Sequence, residues 1–339
     1  MALFYGVGLF FDRRNGQRRR IRLKLPVVSI GNLSLGGTGK TPVLIRLAAD
    51  LKNEGIDVAV LTRGYRGPGR GPSPSQILIP GEPFNETAFS DEVRLLREKL
   101  PQTVVGVGPD RVANAEAILE RRNVDGFLLD DGFQHWAVER DWDVVCVDAS
   151  DPWGGSHLIP WGRLREPFSE IKRAGLIILT RTELVPSATL DTIESSIRLH
   201  TKAPILRSEY KRLYSQWNMK EPRQSTVKNK KVLAVSAVGN PSAYEEGLRR
   251  DGADVTPRRF LDHHNYNDRD VAKMGEWVLK TGGDVVITEK DFVKLRHLNV
   301  SILPLWLARQ ELTFPGPQHK EWENFISQIK SKMVSAKGR

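Results

Sequence analysis

The segment Val28-Ser29-Ile30-Gly31-Asn32-Leu33-Ser34-Leu35-Gly36-Gly37-Thr38-Gly39-Lys40-Thr41-Pro42 limits what this chain can fold into more than any other. An apolar strand runs into a glycine-rich loop, and the loop opens a helix at Lys40-Thr41. That order is the layout of a nucleotide phosphate cradle. Glycines let backbone N–H groups crowd around phosphate oxygens without a Cβ clash. The helix N-terminus adds partial positive charge. Ser34, Leu35, Gly36, Gly37, Thr38, Gly39, Lys40 and Thr41 form the candidate nucleotide-binding set. Lys40 would reach the β- and γ-phosphates, and the Thr41 hydroxyl would ligate Mg2+. The strict pattern has glycine where this chain has Ser34. Gly36 and Gly37 supply the flexibility in its place.

Apolar strand-like runs alternate with amphipathic stretches along the chain, the pattern of a parallel α/β sheet. Strands are predicted at Val27–Ile30, Val58–Leu61, Val104–Val107, Phe127–Leu129, Val144–Val147 and Ile177–Leu179. The helix from Lys40 carries Val43, Leu44, Leu47, Ala48 and Leu51 on one face. A second helix is predicted over Arg111–Arg121. Residues 67–83 read as a loop, and Asp151–Phe168, rich in Gly, Pro and Trp, as a long functional loop. A second αβ pattern has strands at Val232–Val235 and Val285–Ile287 and helices at Pro241–Arg250 and Asp268–Lys280. A last helix is predicted over about Lys320–Met333. The expected fold is α/β: a P-loop NTPase-like core with a mostly parallel sheet, plus a smaller C-terminal α/β domain. The expected boundaries are a basic amphipathic segment over 1–26, the core over 27–208, a linker over 209–231, and the smaller domain over 232–339.

Charge narrows the partners. The chain has 339 residues and a net charge of +10, which points to an anionic partner. Nucleic acid, an acidic membrane surface and a phosphorylated substrate all satisfy that. Cys146 is the sole cysteine, which excludes an intrachain disulfide and a cysteine-cluster metal site. No apolar run reaches the roughly 18 residues that cross a bilayer. Near the N-terminus, Leu3, Phe4, Val7, Phe10 and Phe11 share a helical face, and Arg13, Arg14, Arg18, Arg19, Arg20, Arg22 and Lys24 follow. A short interfacial helix with a basic collar would bind anionic headgroups. The alternative is a helix packed on the core beside a solvated basic loop.

Several further segments can carry chemistry. Gly126-Phe127-Leu128-Leu129 ends in Asp130-Asp131-Gly132-Phe133-Gln134-His135. Beside a phosphate loop, an acid at a strand end holds Mg2+; without one, Asp-Gly is an ordinary turn. Adjacent carboxylates at one strand tip repel unless they share a cation. Ser90-Asp91-Glu92 precedes a helical run and reads as an N-cap with acids in the first turn. Thr62-Arg63-Gly64-Tyr65-Arg66-Gly67 follows the second strand, where α/β sheets place ligand loops. Gly162-Arg163-Leu164-Arg165-Glu166-Pro167 offers arginines, one able to stabilise a transferring phosphoryl group. Leu261-Asp262-His263-His264 can be a metal site, a general-base partner or a turn. Adjacent histidines on extended chain point to opposite faces, so one metal rarely takes both. Val286-Ile287-Thr288-Glu289-Lys290-Asp291 lies at another strand end.

Together these segments resemble the tetraacyldisaccharide 4'-kinases of lipid A biosynthesis. The resemblance rests on the basic N-terminus, the Gly31–Pro42 loop, Thr-Arg-Gly-Tyr-Arg-Gly from Thr62 and Ser-Asp-Glu from Ser90. It continues with Asp-Asp-Gly-Phe-Gln-His from Asp130, Leu-Arg-Glu-Pro from Leu164, Asp-His-His from Asp262 and Thr-Glu-Lys-Asp from Thr288. It implies transfer of the ATP γ-phosphoryl to the 4'-hydroxyl of a lipid disaccharide 1-phosphate, with Mg2+. It implies a site in a cleft between two α/β domains and peripheral attachment to the cytoplasmic face of the inner membrane. The acid of Ser-Asp-Glu is implied as the base, paired with a histidine of Asp-His; those roles fall on Asp91 and His263, with His264 left open. Lys40 and Arg165 would neutralise the phosphoryl group, and Thr41, Asp130 and Asp131 are the metal candidates. Arg63, Tyr65, Glu92 and Gln134 are the substrate-binding candidates. No nucleic acid or obligate protein partner is expected.

Two rival readings make different demands. A GTPase carries Asn-Lys-x-Asp after a late strand, where this chain has Thr180-Arg181-Thr182-Glu183. A nucleic-acid-dependent ATPase needs a basic groove interleaved with aromatics; here the dense basic cluster follows an apolar helix face.

Overall fold

A computed structural model of the chain describes residues 20–64, 75–217, 226–262 and 264–337. The expected amphipathic face at Leu3–Phe11, together with Tyr65 and His263, lies outside the described residues. The chain forms two compact units. One joins the residues up to Glu209 with Leu312 onward; the other is Tyr210–Glu311.

The first unit is built on an eight-stranded sheet. Its strands are β1 (Val27–Gly31), β2 (Val58–Thr62), β3 (Gln76–Leu78), β4 (Val104–Val107), β5 (Gly126–Asp130), β6 (Trp142–Asp148), β7 (Leu176–Thr180) and β8 (Ile205–Arg207), in the order β3-β4-β2-β5-β1-β6-β7-β8. Only β3, at the edge, runs antiparallel. β1 is buried along its whole length because the sheet is covered on both faces, so Val27, Val28 and Ile30 do not alternate with exposed polar residues and even Ser29 is buried. Helix α1 (Lys40–Asn53) buries Val43, Leu44, Leu47, Ala48 and Leu51, the stripe its periodicity predicts. Helix α2 (Asp91–Lys99) and helix α3 (Arg111–Arg121) follow β3 and β4, and α4 (Ser187–Arg198) follows β7.

One register decides where the chemistry sits. Ile30 of β1 pairs with Asp130 of β5. The acid pair therefore emerges beside the start of the glycine loop. The two turns touch so closely that a Cβ at Gly31 would lie 2.5 Å from the Cβ of Phe133.

The second unit carries a five-stranded sheet, β9 (Glu209–Gln216), β10 (Lys231–Ser236), β11 (Asp254–Arg259), β12 (Asp284–Thr288) and β13 (Leu305–Thr313), in the order β11-β10-β12-β13-β9. Strands β10 to β13 pair in parallel. Helices α5 (Pro241–Arg250), α6 (Asp268–Thr281) and α7 (Glu289–Leu295) connect them. Apolar residues of β10, β12 and β13 pack with Val271 and Met274 of α6 into one core.

The structure departs from the sequence reading at four places. Residues 67–83 contain the edge strand β3. The expected linker begins with β9, a half-exposed edge strand whose polar residues disguise it. β11 carries Pro257 and little buried surface, as edge strands tolerate. The last helix, α8 (Pro317–Lys337), belongs to the first unit rather than the second. Its fully buried Trp322 donates an indole N–H to Asp50 of α1 at 2.6 Å and stacks on Phe314 at 4.5 Å. Met333 fills the space over Gly126, and Lys332 reaches Asp141 at 2.7 Å. Trp322→Ala should cost about 3–5 kcal/mol through the cavity it leaves, measured by denaturant unfolding of the full chain. A loss under 1 kcal/mol would show that α8 adds little to the first unit.

Candidate functional site

The glycine loop is a shaped object before any ligand arrives. Buried Asn32 donates its side-chain amide to the Ser34 carbonyl at 2.6 Å and to Thr38 Oγ1 at 2.8 Å. Gly36 and Gly39 hold φ of 112° and 86°, backbone that an L side chain resists. Gly39 caps α1, so the free N–H groups of the first turn face the loop's interior. Thr180, at the end of β7, donates its hydroxyl to the Thr38 carbonyl at 2.9 Å. Ser34 is buried and pairs with Leu164, while Leu35 and Gly36 are exposed at the loop's crest.

The long loop 151–168 braces this cradle from one side. The Leu35 N–H donates to the Arg163 carbonyl at 2.6 Å, and the Arg165 N–H to the Leu33 carbonyl at 2.7 Å. Arg165 is thereby delivered to Asp131, meeting its carboxylate oxygens at 2.9 and 2.7 Å through Nη1. Lys40 Nζ lies 3.3 Å from the same carboxylate. Gln134 joins the segments: its Nε2 donates to the Asn32 carbonyl and to Glu166 Oε1, both at 2.8 Å, and its Oε1 accepts from Arg165 at 3.3 Å. Glu166, itself buried, is held by Arg173 at 2.6 Å. Expected as a substrate contact, Gln134 stands in this structure as an internal brace.

The adjacent acids are driven apart. Burial would raise both. At Asp131 that effect is outweighed by Lys40 and Arg165, which hold its carboxyl well below the usual range. At Asp130 burial, then the like charges of Glu92 and Asp131, push the carboxyl up to about 6, against the Thr62 hydroxyl that donates to it at 2.9 Å. At Asp130 the attraction of Lys40 is outweighed by burial and by the neighbouring negative charge. Among the described residues, no group of three His, Cys, Asp or Glu gathers as a ready-made metal site. A cation here would rest on few protein oxygens, with phosphate and water completing its shell, as Mg2+ usually does.

Asp91 is buried at the first position of α2 and accepts the Glu92 N–H at 3.1 Å, while Ser90 caps the helix by accepting the Val93 N–H at 3.4 Å. The serine supplies the cap, so the aspartate is not needed for it. Arg63 is exposed just after β2. In the second unit, His264 stacks on Phe260 at 4.5 Å and meets Asp270 at 2.9 Å through Nε2. Asp270 also closes the capping box of α6. Asp262 faces Lys290 at 3.6 Å. Buried Asp291 accepts the Ala237 N–H and the Thr288 hydroxyl, clamping the ends of β10 and β12.

The residue model of the family described as tetraacyldisaccharide-1-P 4'-kinase matches residues 1–330. The chain belongs to that family. Its relatives include the tetraacyldisaccharide 4'-kinases of Bdellovibrio bacteriovorus, 33% identical over 90% of this chain and 89% of the relative, and of Syntrophus aciditrophicus, 33% identical over 97% and 91%. The crystal structure of the Aquifex aeolicus family protein LpxK in complex with ATP superposes with a TM-score of 0.70 at 26% identity, over 97% of this chain and 96% of that one.

Two residues near the site escape a motif reading. Arg111, 5% exposed at the start of α3, has its ionisation opposed first by burial and next favoured by Asp130. His135 is held down to about 4 by burial and by Arg111 and Arg140, so it is neutral at pH 7. Among the described residues, neither Arg111 Nε nor His135 Nε2 has a hydrogen-bond partner. The signal for Arg111 was its place after a strand end, in Gly-Pro-Asp-Arg. His135 gives none beyond its neighbours.

The split acids have opposite pH signatures. Between about 4 and 6 the folded protein keeps a proton on Asp130 that the unfolded chain has lost. Asp130 therefore lowers stability as pH rises through that window. Asp131 does the reverse, with stability present above about 4 and lost on acidification. In melting curves without nucleotide or metal, Asp130→Asn should raise Tm at pH 8 relative to the parent and leave Tm at pH 4 nearly unchanged. Asp131→Asn should lower it at pH 8.

Proposed function

We propose that this chain is an ATP-dependent kinase that phosphorylates the 4'-hydroxyl of a tetraacylated glucosamine disaccharide 1-phosphate, a step of lipid A biosynthesis. Family membership supports the reaction. The observation that carries it in this chain is the meeting of Lys40, Asp131 and Arg165 at the N-terminus of α1. Two cations are held there around a carboxylate, in the place where phosphate oxygens would lie.

Phosphoryl transfer asks for positioning and charge neutralisation more than for covalent help. The backbone N–H groups from Gly36 to Thr41 would cradle the phosphates. Lys40 and Arg165 would move their charge from Asp131 to the transferring group. Thr41 and Asp130 would hold Mg2+, which neutralises charge on the β- and γ-oxygens when bound. Asp131 would serve as the counter-ion that keeps both cations in place. Asp91 would accept the proton of the sugar hydroxyl late in the transfer. His264 is engaged by Phe260 and Asp270, so the histidine partner we assign is His263. Arg63, Tyr65 and Glu92 would contact the acceptor, with Arg111 and His135 added to them.

A tetraacylated acceptor resides in a bilayer, so the enzyme must reach a membrane surface. No described helix is long and apolar enough to cross one. We assign the contact to the basic amphipathic segment over 1–26, at the cytoplasmic face of the inner membrane. At its described end, Arg22 is already paired with Glu139 at 2.8 Å, and the backbone of Ile21 is tied to Ala137. We assign headgroup binding to the arginines that precede it in the sequence.

ATP consumption that requires the lipid disaccharide in detergent micelles, and that RNA and DNA do not stimulate, tests the reading against both rivals. Lys40→Ala should lower kcat at least about 10²-fold, as loss of one preorganised donor does. Near-normal turnover would remove the glycine loop from the mechanism. Asp91→Asn should reduce kcat by roughly 10²–10⁴-fold with ATP affinity and Tm nearly unchanged. Full activity in that variant would leave Asp91 a structural residue.

A further inference from the structure

Behind Arg165 a chain of polar contacts runs through Gln134 and Glu166 to Arg173. Arg173 closes a short 3-10 helical stretch over Phe168–Arg173, just before β7. Its backbone is rooted in the core. Ile171 is fully buried, the Ala174 N–H donates to the Ile171 carbonyl at 2.9 Å, and the Gly175 N–H donates to the Asp143 carbonyl at 2.8 Å.

From that root the side chain grips two segments of the site at once. Toward the turn after the acid pair, Nη1 donates to the Phe133 carbonyl at 3.2 Å. The guanidinium carbon lies over the rings of Phe133 and Trp136, 4.0 and 4.3 Å from their centroids. Toward the loop that carries Arg165, Nη2 donates to Glu166 Oε2 at 2.6 Å, and Nε meets Glu170 at 3.0 Å. A flat guanidinium stacks with its faces while its edge donates; an ammonium does not.

The polarity of the chain decides what it does. A glutamine amide turned over exchanges its acceptor for its donors. Gln134 Nε2 faces two acceptors, the Asn32 carbonyl and Glu166 Oε1. Turned over, it would set its oxygen against both and its NH2 against the Arg165 cation. Glu166 therefore holds Gln134 in the orientation that offers an acceptor to Arg165. Among the described residues Arg165 Nε has no hydrogen-bond partner, so the bonds at Nη1, to Gln134 and Asp131, orient the guanidinium. Glu166 is in turn a buried carboxylate, which is costly without a cation beside it, and Arg173 supplies that cation.

We propose that Arg173 is a positioning residue for phosphoryl transfer, setting the Arg165 guanidinium through Glu166 and Gln134. Its grip on Phe133, next to Gln134, keeps the two segments in register. The assignment rests on the kinase reading above, in which Arg165 neutralises the transferring group.

A double-mutant cycle tests it. The assay is steady-state ATP consumption by the full chain with the lipid disaccharide in micelles, run below the melting temperature of each variant. Arg173→Gln should lower kcat about tenfold, as slight misplacement of a reacting group does, and leave the KM for ATP within about twofold. In an Arg165→Ala background the same substitution should change kcat by less than about twofold, because the group it positions is gone. Arg173→Lys keeps a cation for Glu166 but loses the stacking face, and should cost about threefold, again only while Arg165 is present. It supplies the answer if Arg173→Gln does not fold. A folded Arg173→Gln variant with parental kcat overturns the assignment and leaves the kinase reading standing. An equal loss with and without Arg165 also overturns it, because Arg173 would then only support the fold. A parent whose ATP consumption does not need the lipid disaccharide overturns the kinase reading itself, and the assignment with it.

Discussion

The carboxylate of Asp131 is shared by Lys40 and Arg165, and the phosphate end of the site depends on that shared charge. Lys40 opens α1, Asp131 follows β5, and Arg165 comes from the long loop after β6. Three segments distant in sequence are thus closed into one circuit, reinforced by Gln134 between Asn32 and Glu166. Two cations brought together without an anion would repel and would splay the loop. With Asp131 between them they are already in place when a phosphate arrives. On the proposed reading, binding would exchange one anionic partner for another at little reorganisation, the condition under which fixed charges stabilise a transition state best.

The same economy of fixed positions governs the second unit. Asp291, fully buried, joins the ends of β10 and β12 through Ala237 and Thr288. The Asp-His-His segment beyond β11 is anchored on either side of His263, by the Asp262–Lys290 pair and by His264 on Asp270. A motif of three polar residues therefore divides into two anchors and one further position.

Much of this was legible in the sequence, and the rest was hidden for identifiable reasons. The buried parallel strands announce themselves, because a strand covered on both faces is mostly apolar, as β1 and β7 are apart from Ser29 and Thr180. The stripe on α1 was read residue for residue. Edge strands are the opposite case: β9 and β11 bury little and carry Lys, Arg and Pro, so composition cannot separate them from loops. The amphipathic pattern of α8 was visible, but a hydrophobic face does not name its partner. Only the Trp322–Asp50 bond and the fit of Met333 over Gly126 place it on the first unit. At the site, the glycine loop is one contiguous motif and was readable as such. The surroundings of Arg111 and His135 are made by neighbours that the fold brings to them, and no spacing rule reports that.

The two adjacent aspartates show how folding assigns different chemistry to identical side chains. Asp130 and Asp131 differ by one step along the chain, and a strand's alternation sends them to different surroundings. Asp131 turns back at φ 50° toward the cations, and its charge is satisfied within the protein. Asp130 accepts the Thr62 hydroxyl, and burial with the like charges of Glu92 and Asp131 outweighs that bond and the attraction of Lys40. A carboxylate stabilised by the protein has nothing to gain from a metal; one destabilised by the protein does. Environments that push neighbouring titratable groups apart generally separate their roles. The register that sets Ile30 against Asp130 is therefore more than a packing detail. It sets the acid pair beside the glycine loop, with one carboxylate paired to Lys40 and Arg165 and its neighbour facing Thr62.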